Sequence, residues 1–310
     1  MMTMKSRTSE AKDKPKPIRL TDRDRRLFRS LADYGVLSTE QVFRLHFSSI
    51  HRTRKRLRLL WRHRFIKRNV RLVRMGEGSS QYLYTLTARG RRIPGHGASA
   101  VALPNQDRRF STSEHTLRIN DFRVAISLAC RNGTGLVLKD WRQGHQIRFN
   151  PTVTTGNLRT VVPIIPDSFF TIQYGGRDFG YFLEIDRGTA DLGRIRKKLL
   201  AYLNLWHSGL VSAKIGIRSF RLLYITSSEQ RLANLLKTMQ DLAKSTRRIG
   251  ICCVTVFSRY SLANSKALLE PIWQTIDHSG YVVRTSPFPG SIPLKLPIAP
   301  GKPPVCEPEV

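Results

Sequence analysis

Apolar side chains recur at helical spacing in the first sixty residues and then alternate, so the pattern marks where helices give way to strands. Leu27 and Leu31 lie one turn apart on a first helix; Thr21, three residues before Asp24, caps its start, and Gly35 stops it. Ser38 and Gln41 form a second capping box, with Leu37 placed to staple onto Val42, and a short helix follows to about Phe47. A third helix begins near Ser49, with Ile50, Leu57, Leu60 and Trp61 on one core-facing stripe. Ile66 to Arg74 and Gln81 to Leu86 then alternate around Gly76-Glu77-Gly78-Ser79-Ser80, a hairpin signal. Three helices and a hairpin are the order of a winged helix-turn-helix.

The second half opens on an amphipathic helix, Glu114 to Arg131, carrying Leu117, Phe122, Ile126 and Leu128. Strands are predicted over 136–149, 161–172 and 179–186, then a helix over 191–206, a strand over 221–226, a helix over 230–243 and a strand over 251–257. This αβββαβ run with a further αβ predicts an α/β fold, a mixed sheet with helices on its faces. Residues 91–113 are rich in Gly, Pro, Ser and Ala without periodicity and read as a linker. Eight of the sixteen prolines fall in the last 25 residues, so 286–310 read as an extended tail, and the basic residues 1–19 as a disordered arm. The domains are therefore expected at 20–90 and 114–285.

Charge turns this outline toward a partner. With 53 Lys and Arg against 22 Asp and Glu, the formal net charge is +31; a compact chain so charged repels itself unless a polyanion shares the burden, which points to nucleic acid. The basic residues concentrate in the third helix and the strand after it: His51 to Arg74 holds eleven Lys or Arg and no acid. A solvated helix normally mixes signs for pairing one turn apart, and this one does not. In a major groove, His51, Arg52, Arg54 and Lys55 would lie nearest the bases of double-stranded DNA. Arg56, Arg58 and Arg62 would grip phosphate, and Arg68, Arg71 and Arg74 would sit on the wing.

The acids form the second candidate. Asp167 follows Pro166 in one predicted strand, while Glu184 and Asp186, two apart in the next, share a face about 7 Å apart. If the neighbouring strand brings Asp167 alongside, three carboxylates make a hard-oxygen site suited to Mg²⁺ or Mn²⁺, able to activate water on a phosphodiester. The alternative is a solvated strand end. Glu114 is a further candidate ligand, and Lys198, with Tyr202 one turn on, a candidate source of positive charge.

These residues carry a resemblance. The αβββαβ order with Pro166-Asp167 and then Glu184-x-Asp186 resembles the PD-(D/E)XK nuclease superfamily, which has a restriction-endonuclease-like fold. More closely, LTDRDRRLFRSLADYGVLSTEQVFRL, SEHTLRINDFRVAI, FLEIDRGT and KKLLAYLNLW resemble the replication-relaxation family of bacterial plasmids and mobile elements, over Leu20 to Ile276. The resemblance implies DNA binding in replication or maintenance of the element, with an attached nuclease-like domain; if that domain cleaves, the residues themselves offer Asp167, Glu184, Asp186 and Lys198 as the candidate catalytic set. One departure weakens cleavage: Asp186 stands where the nuclease signature has lysine.

Other chemistries are unsupported. There is no nucleotide-cradling GxxxxGK[ST] loop, no His-x-His pair and no HExxH, so neither an ATP-driven motor nor a metal-histidine relaxase is indicated. No apolar run is long enough to span a bilayer, the N-terminus lacks a secretory signal, and the four cysteines show no CxxC spacing; a reducing cytoplasm is expected. The reading is a double-stranded DNA-binding protein. The alternatives are a metal-dependent endonuclease and a transcriptional repressor whose second domain serves assembly. Candidate partners beyond DNA are a second copy of the chain and other replication or transposition proteins.

Overall fold

A computed structural model describes residues 17–70, 82–93, 114–131, 133–155, 158–188, 190–244, 249–290 and 296–297. Arg71 and Arg74, most of the expected linker and tail, and nearly all of the basic arm lie outside them. The chain is α/β and divides into two units, 1–112 and 113–310.

In the first unit, α1 (Asp22–Tyr34) starts at a full capping box: Thr21 N donates to the Asp24 carboxylate at 2.7 Å while the Thr21 hydroxyl accepts from Asp24 N. Gly35, at φ 74°, ends it by adopting a conformation that costs other residues more. Leu37–Ser38 is a short strand, β1, and Ser38 also caps α2 (Thr39–His46) through the expected box with Gln41. Ser49 caps α3 (Ile50–Arg62), then β2 (Ile66–Val70) and β3 (Tyr82–Leu86) pair antiparallel, and α4 (Ala88–Arg91) follows. The sheet has a strand that the alternation did not reveal, because β1 is only two residues long: the order is β1-β3-β2. Leu27, Phe28, Leu31, Leu37, Val42, Leu57, Leu60 and Ile66 are buried. Trp61, expected in that core, is instead 37% exposed.

The second unit begins with α5 (Glu114–Arg131) and continues through β4 (Val137–Gln143), a small hairpin of β5 (Thr152–Thr155) and β6 (Leu158–Val161), β7 (Ser168–Tyr174) and β8 (Arg177–Ile185). Then come α6 (Leu192–His207), α7 (Leu210–Ile215), β9 (Phe220–Thr226), α8 (Glu229–Ala243), β10 (Cys252–Val256), β11 (Trp273–Ile276), β12 (Val282–Thr285) and β13 (Leu296–Pro297). Eight strands form one sheet in the order β13-β12-β11-β10-β9-β8-β7-β4. The β8-β9-β10 centre is parallel and the outer pairs are antiparallel, so the sheet is mixed.

Alternation sends Phe182 to one face, with Ile195 and Leu199 of α6 and Leu235 and Met239 of α8. Tyr181 and Leu183 go to the other, with Phe122 and Ile126 of α5. The predicted strand 161–172 is in fact two elements. Val161 ends β6 and Ser168 starts β7, with Pro163 and Pro166 between, since proline has no N–H to give a ladder. Asp167 thus stands immediately before β7 rather than inside a strand. Gly144, after β4, lies so close to this stretch that a Cβ there would meet the Pro166 carbonyl oxygen at 1.9 Å; its amide donates to the Asp167 carbonyl.

Candidate functional site

Helix α3 presents its charge outward. Thr53, Leu57 and Leu60 are buried, which turns His51, Arg52, Arg54, Lys55, Arg58 and Arg62 to solvent, and no acid lies anywhere on the helix. Arg56 departs from the expected phosphate role. Its Nε donates to Asp24 Oδ1 at 2.8 Å, its outer nitrogen bonds Asp24 Oδ2 and the Arg19 carbonyl, and the Asp24 side chain is 1% exposed. Burial pushes the Asp24 carboxyl upward, but the bonds from Arg56 and Thr21 outweigh it and hold the group below its ordinary range. Arg56 therefore clamps α3 to the start of α1. Arg68 on β2 is half-buried between two aromatics, its guanidinium carbon 3.8 Å from the Trp61 ring centre and 4.4 Å from that of Tyr82. This cation–π stack ties the end of α3 to the β2–β3 pair.

In the second unit Glu184 lies near the end of β8 and Asp186 follows its last residue; both are buried, Glu184 against Lys198 and Tyr202 of α6 and Asp186 against Arg231 of α8. Asp167, before β7, lies beside the end of β8: its amide donates to the Leu183 carbonyl and its Oδ2 accepts from Ile185 N at 2.7 Å. The three acids border one cleft of about 390 Å³, which Lys198, His115, Arg187 and Arg194 also line.

Each acid is already partnered. Lys198 Nζ and the Tyr202 hydroxyl each donate to Glu184, both at 2.5 Å. His115 Nε2 lies 2.9 Å from Asp167 Oδ1. Asp186 accepts from Gly188 N at 2.9 Å through Oδ1, and from Arg231 Nε at 2.7 Å and Thr226 Oγ1 through Oδ2. Burial pushes Glu184 up to about 7, a rise that Lys198 opposes and the neighbouring Asp167 charge reinforces. The bond to Asp167 raises His115 above its ordinary value, so its protonated form is favoured.

Glu114, expected as a ligand, is half-exposed and stands 3.9 Å from Arg118; its neighbour His115 reaches the cleft instead. Sequence contained that signal, because His115, Ile119, Phe122 and Ile126 fall on one helical stripe and Glu114 lies beside it. Arg231 comes from α8, 45 residues after its partner, and no local pattern announces it.

The donor chemistry does not fit a three-carboxylate ion site as it stands. An ion would have to displace Lys198 from Glu184 and Arg231 from Asp186, each charge-assisted and largely withdrawn from water. Among the described residues no group of three or more His, Cys, Asp or Glu side chains is placed to hold a metal ion. Millimolar Mg²⁺ or Mn²⁺ is therefore expected to leave the melting temperature unchanged in calorimetry. A rise that Asp167→Ala abolishes would restore the metal reading.

The family model described as Replication-relaxation matches residues 28–218, more than half of the chain. The chain belongs to the replication-relaxation family. Membership suggests a role in replication or transfer of a plasmid or mobile element. The match takes in α3, His115, Asp167, Glu184 and Lys198, whereas Arg231 lies beyond it. No curated protein and no solved structure matches the chain. Among the described residues, no helix of this replication-relaxation protein is long and apolar enough to cross a membrane.

Proposed function

We propose that this replication-relaxation protein binds double-stranded DNA through its first unit and acts in replication or maintenance of a plasmid or mobile element. The unit is read as a winged helix-turn-helix over 20–90, with α3 as recognition helix and β2–β3 as wing. The second, over 114–285, is read as a restriction-endonuclease-like sheet retained for binding or assembly. One observation carries this: the exposed face of α3 holds His51, Arg52, Arg54, Lys55, Arg58 and Arg62 without a single acid. An isolated helix with that face repels itself, and a polyphosphate relieves the repulsion by releasing counterions. Arg58 and Arg62 grip phosphates, while His51, Arg52, Arg54 and Lys55, nearer the helix start, reach base edges.

The test is a salt titration of duplex binding by the full chain. About six phosphate contacts give a log–log slope near −5, and Arg58→Ala with Arg62→Ala flattens it by about 2 and weakens all sequences alike. Arg52→Ala or Arg54→Ala instead narrows the gap between preferred and random sequences by about 1 to 3 kcal/mol per lost base contact. Unchanged affinity in the Arg58–Arg62 variant would remove α3 from the interface. The endonuclease reading rests on Asp167 and Glu184 lying side by side next to Lys198. It requires nicking of supercoiled plasmid in Mg²⁺ or Mn²⁺, whereas binding alone leaves topology intact.

A further inference from the structure

Arg64, in the turn between α3 and β2, stands in the left-handed region at φ 59°, and every other described residue with a positive φ is a glycine. A side chain carried on Cβ is strained there, whereas glycine is not. The fold holds the conformation firmly. The Arg64 amide donates to the Trp61 carbonyl at 2.9 Å, and the Arg64 carbonyl accepts from the Thr87 hydroxyl at 2.7 Å. Gly90 of α4 closes on the next residue, where a Cβ would meet the Phe65 carbonyl oxygen at 2.2 Å. The turn therefore requires this backbone angle, and arginine suits it poorly.

Neighbouring arginines are bound into the unit. Arg89 donates to the His63 carbonyl at 3.1 Å and stacks on Phe65, Arg91 reaches the Leu86 carbonyl, and Arg68 lies between Trp61 and Tyr82. Arg64 differs: it is exposed, and among the described residues its guanidinium has no hydrogen-bond, ion-pair or ring partner. His51, Lys55, Arg58 and Arg62 recur along α3 at i, i+4, i+7 and i+11, so they form one exposed row without an acid. Arg64 stands two residues past the end of that row.

A strained residue whose side chain makes no internal contact points to a use outside the fold. One internal use is open to it, because the exposed carbonyls at a helix end attract positive charge. In that case arginine stabilises the unit. A DNA contact demands the reverse, a residue that weakens the fold and strengthens binding. We propose that Arg64 extends the phosphate-binding row of α3 past the helix, its guanidinium donating to a backbone phosphate of duplex DNA at the expense of the turn's own stability. The assignment rests on the reading of α3 as a recognition helix.

The experiment follows, on the full chain, the melting of the first unit by circular dichroism and the salt dependence of binding to mixed-sequence duplex DNA. Arg64→Gly melts about 4 °C higher, because the relief of strain exceeds the freedom that glycine adds to the unfolded chain. It binds about tenfold more weakly at low salt, and its log–log slope is flatter by about 0.9, the value of one phosphate. Arg64→Asn, which tolerates the left-handed region, loses the same slope and so separates the charge from the backbone. Arg64→Lys keeps the parent slope. Parent-like binding by Arg64→Gly or Arg64→Asn overturns the contact, as does melting of Arg64→Gly at or below the parent, since the arginine then serves the helix end. A parent chain that does not bind duplex overturns the recognition-helix reading, and this contact with it.

Discussion

Arg56→Ala is expected to destabilise the first unit severely and weaken DNA binding through that loss, while Arg58→Ala, two residues on, weakens binding and leaves the fold intact. The two arginines are alike in sequence, yet one is paired with an Asp24 side chain that is 1% exposed and the other faces solvent. Truncating Arg56 leaves the buried Asp24 carboxylate without its cation, with Thr21 still donating to it, which costs about 3 kcal/mol. For a unit of this size that is a large part of its total stability, and a melting temperature falls by about 4 to 8 °C per kcal/mol. Circular dichroism of the full chain should show an early transition in Arg56→Ala alone. Asp24→Asn with Arg56→Met removes both charges and recovers most of the loss. If Arg56→Ala melts normally and only loses affinity for DNA, Arg56 is a phosphate contact after all and the Asp24 pair is incidental.

The same pair shows how far sequence carries. Both capping boxes, Thr21 with Asp24 and Ser38 with Gln41, were legible because they are local and involve one turn. The Asp24 carboxylate then serves twice, as capping residue and as partner to Arg56 on another helix, and the second use depends on packing. Helical spacing held a hint: Thr53, Leu57 and Leu60 form the buried stripe of α3, and Arg56 lies on its flank, whereas Arg58 is on the opposite side. In the second unit, alternation along β8 was legible as far as Glu184, because the period of a strand does not depend on its neighbours, but the strand ends at Ile185 and Asp186 follows it. Whether those acids meet metal, lysine or arginine depends on α6 and α8. Arg231 could not be read as a partner of Asp186 before the fold was known. Trp61 failed because it follows Leu60 by one residue, about 100° round the helix, at the edge of the buried stripe rather than on it.

Lys198→Met is expected to destabilise the second unit strongly at pH 8 and only slightly at pH 5.5. Glu184 is raised from an ordinary 4.5 to about 7, first by burial, so its charged form burdens the fold above pH 7 and stability is gained as pH falls from there toward 4.5. His115 acts in the same sense. Raised above 6.5 by its bond to Asp167, it contributes fully below 6.5, and the contribution is lost as pH rises through its folded value. The parent chain should accordingly melt a few degrees higher at pH 6 than at pH 8. Without the Lys198 ammonium, Glu184 keeps Tyr202 as a donor but must either remain charged and unmatched or take up a proton. At pH 8 both routes cost energy, about 2 to 4 kcal/mol for a buried pair broken on one side, or roughly 2 to 4 °C of melting temperature per kcal/mol in a domain of this length. At pH 5.5 the carboxyl is neutral in parent and variant alike, and methionine replaces the alkyl stem of lysine at little cost in packing. Differential scanning calorimetry at the two pH values separates the cases. A loss of equal size at both would mean that Lys198 acts through packing alone, and that Glu184 does not carry its charge into the fold.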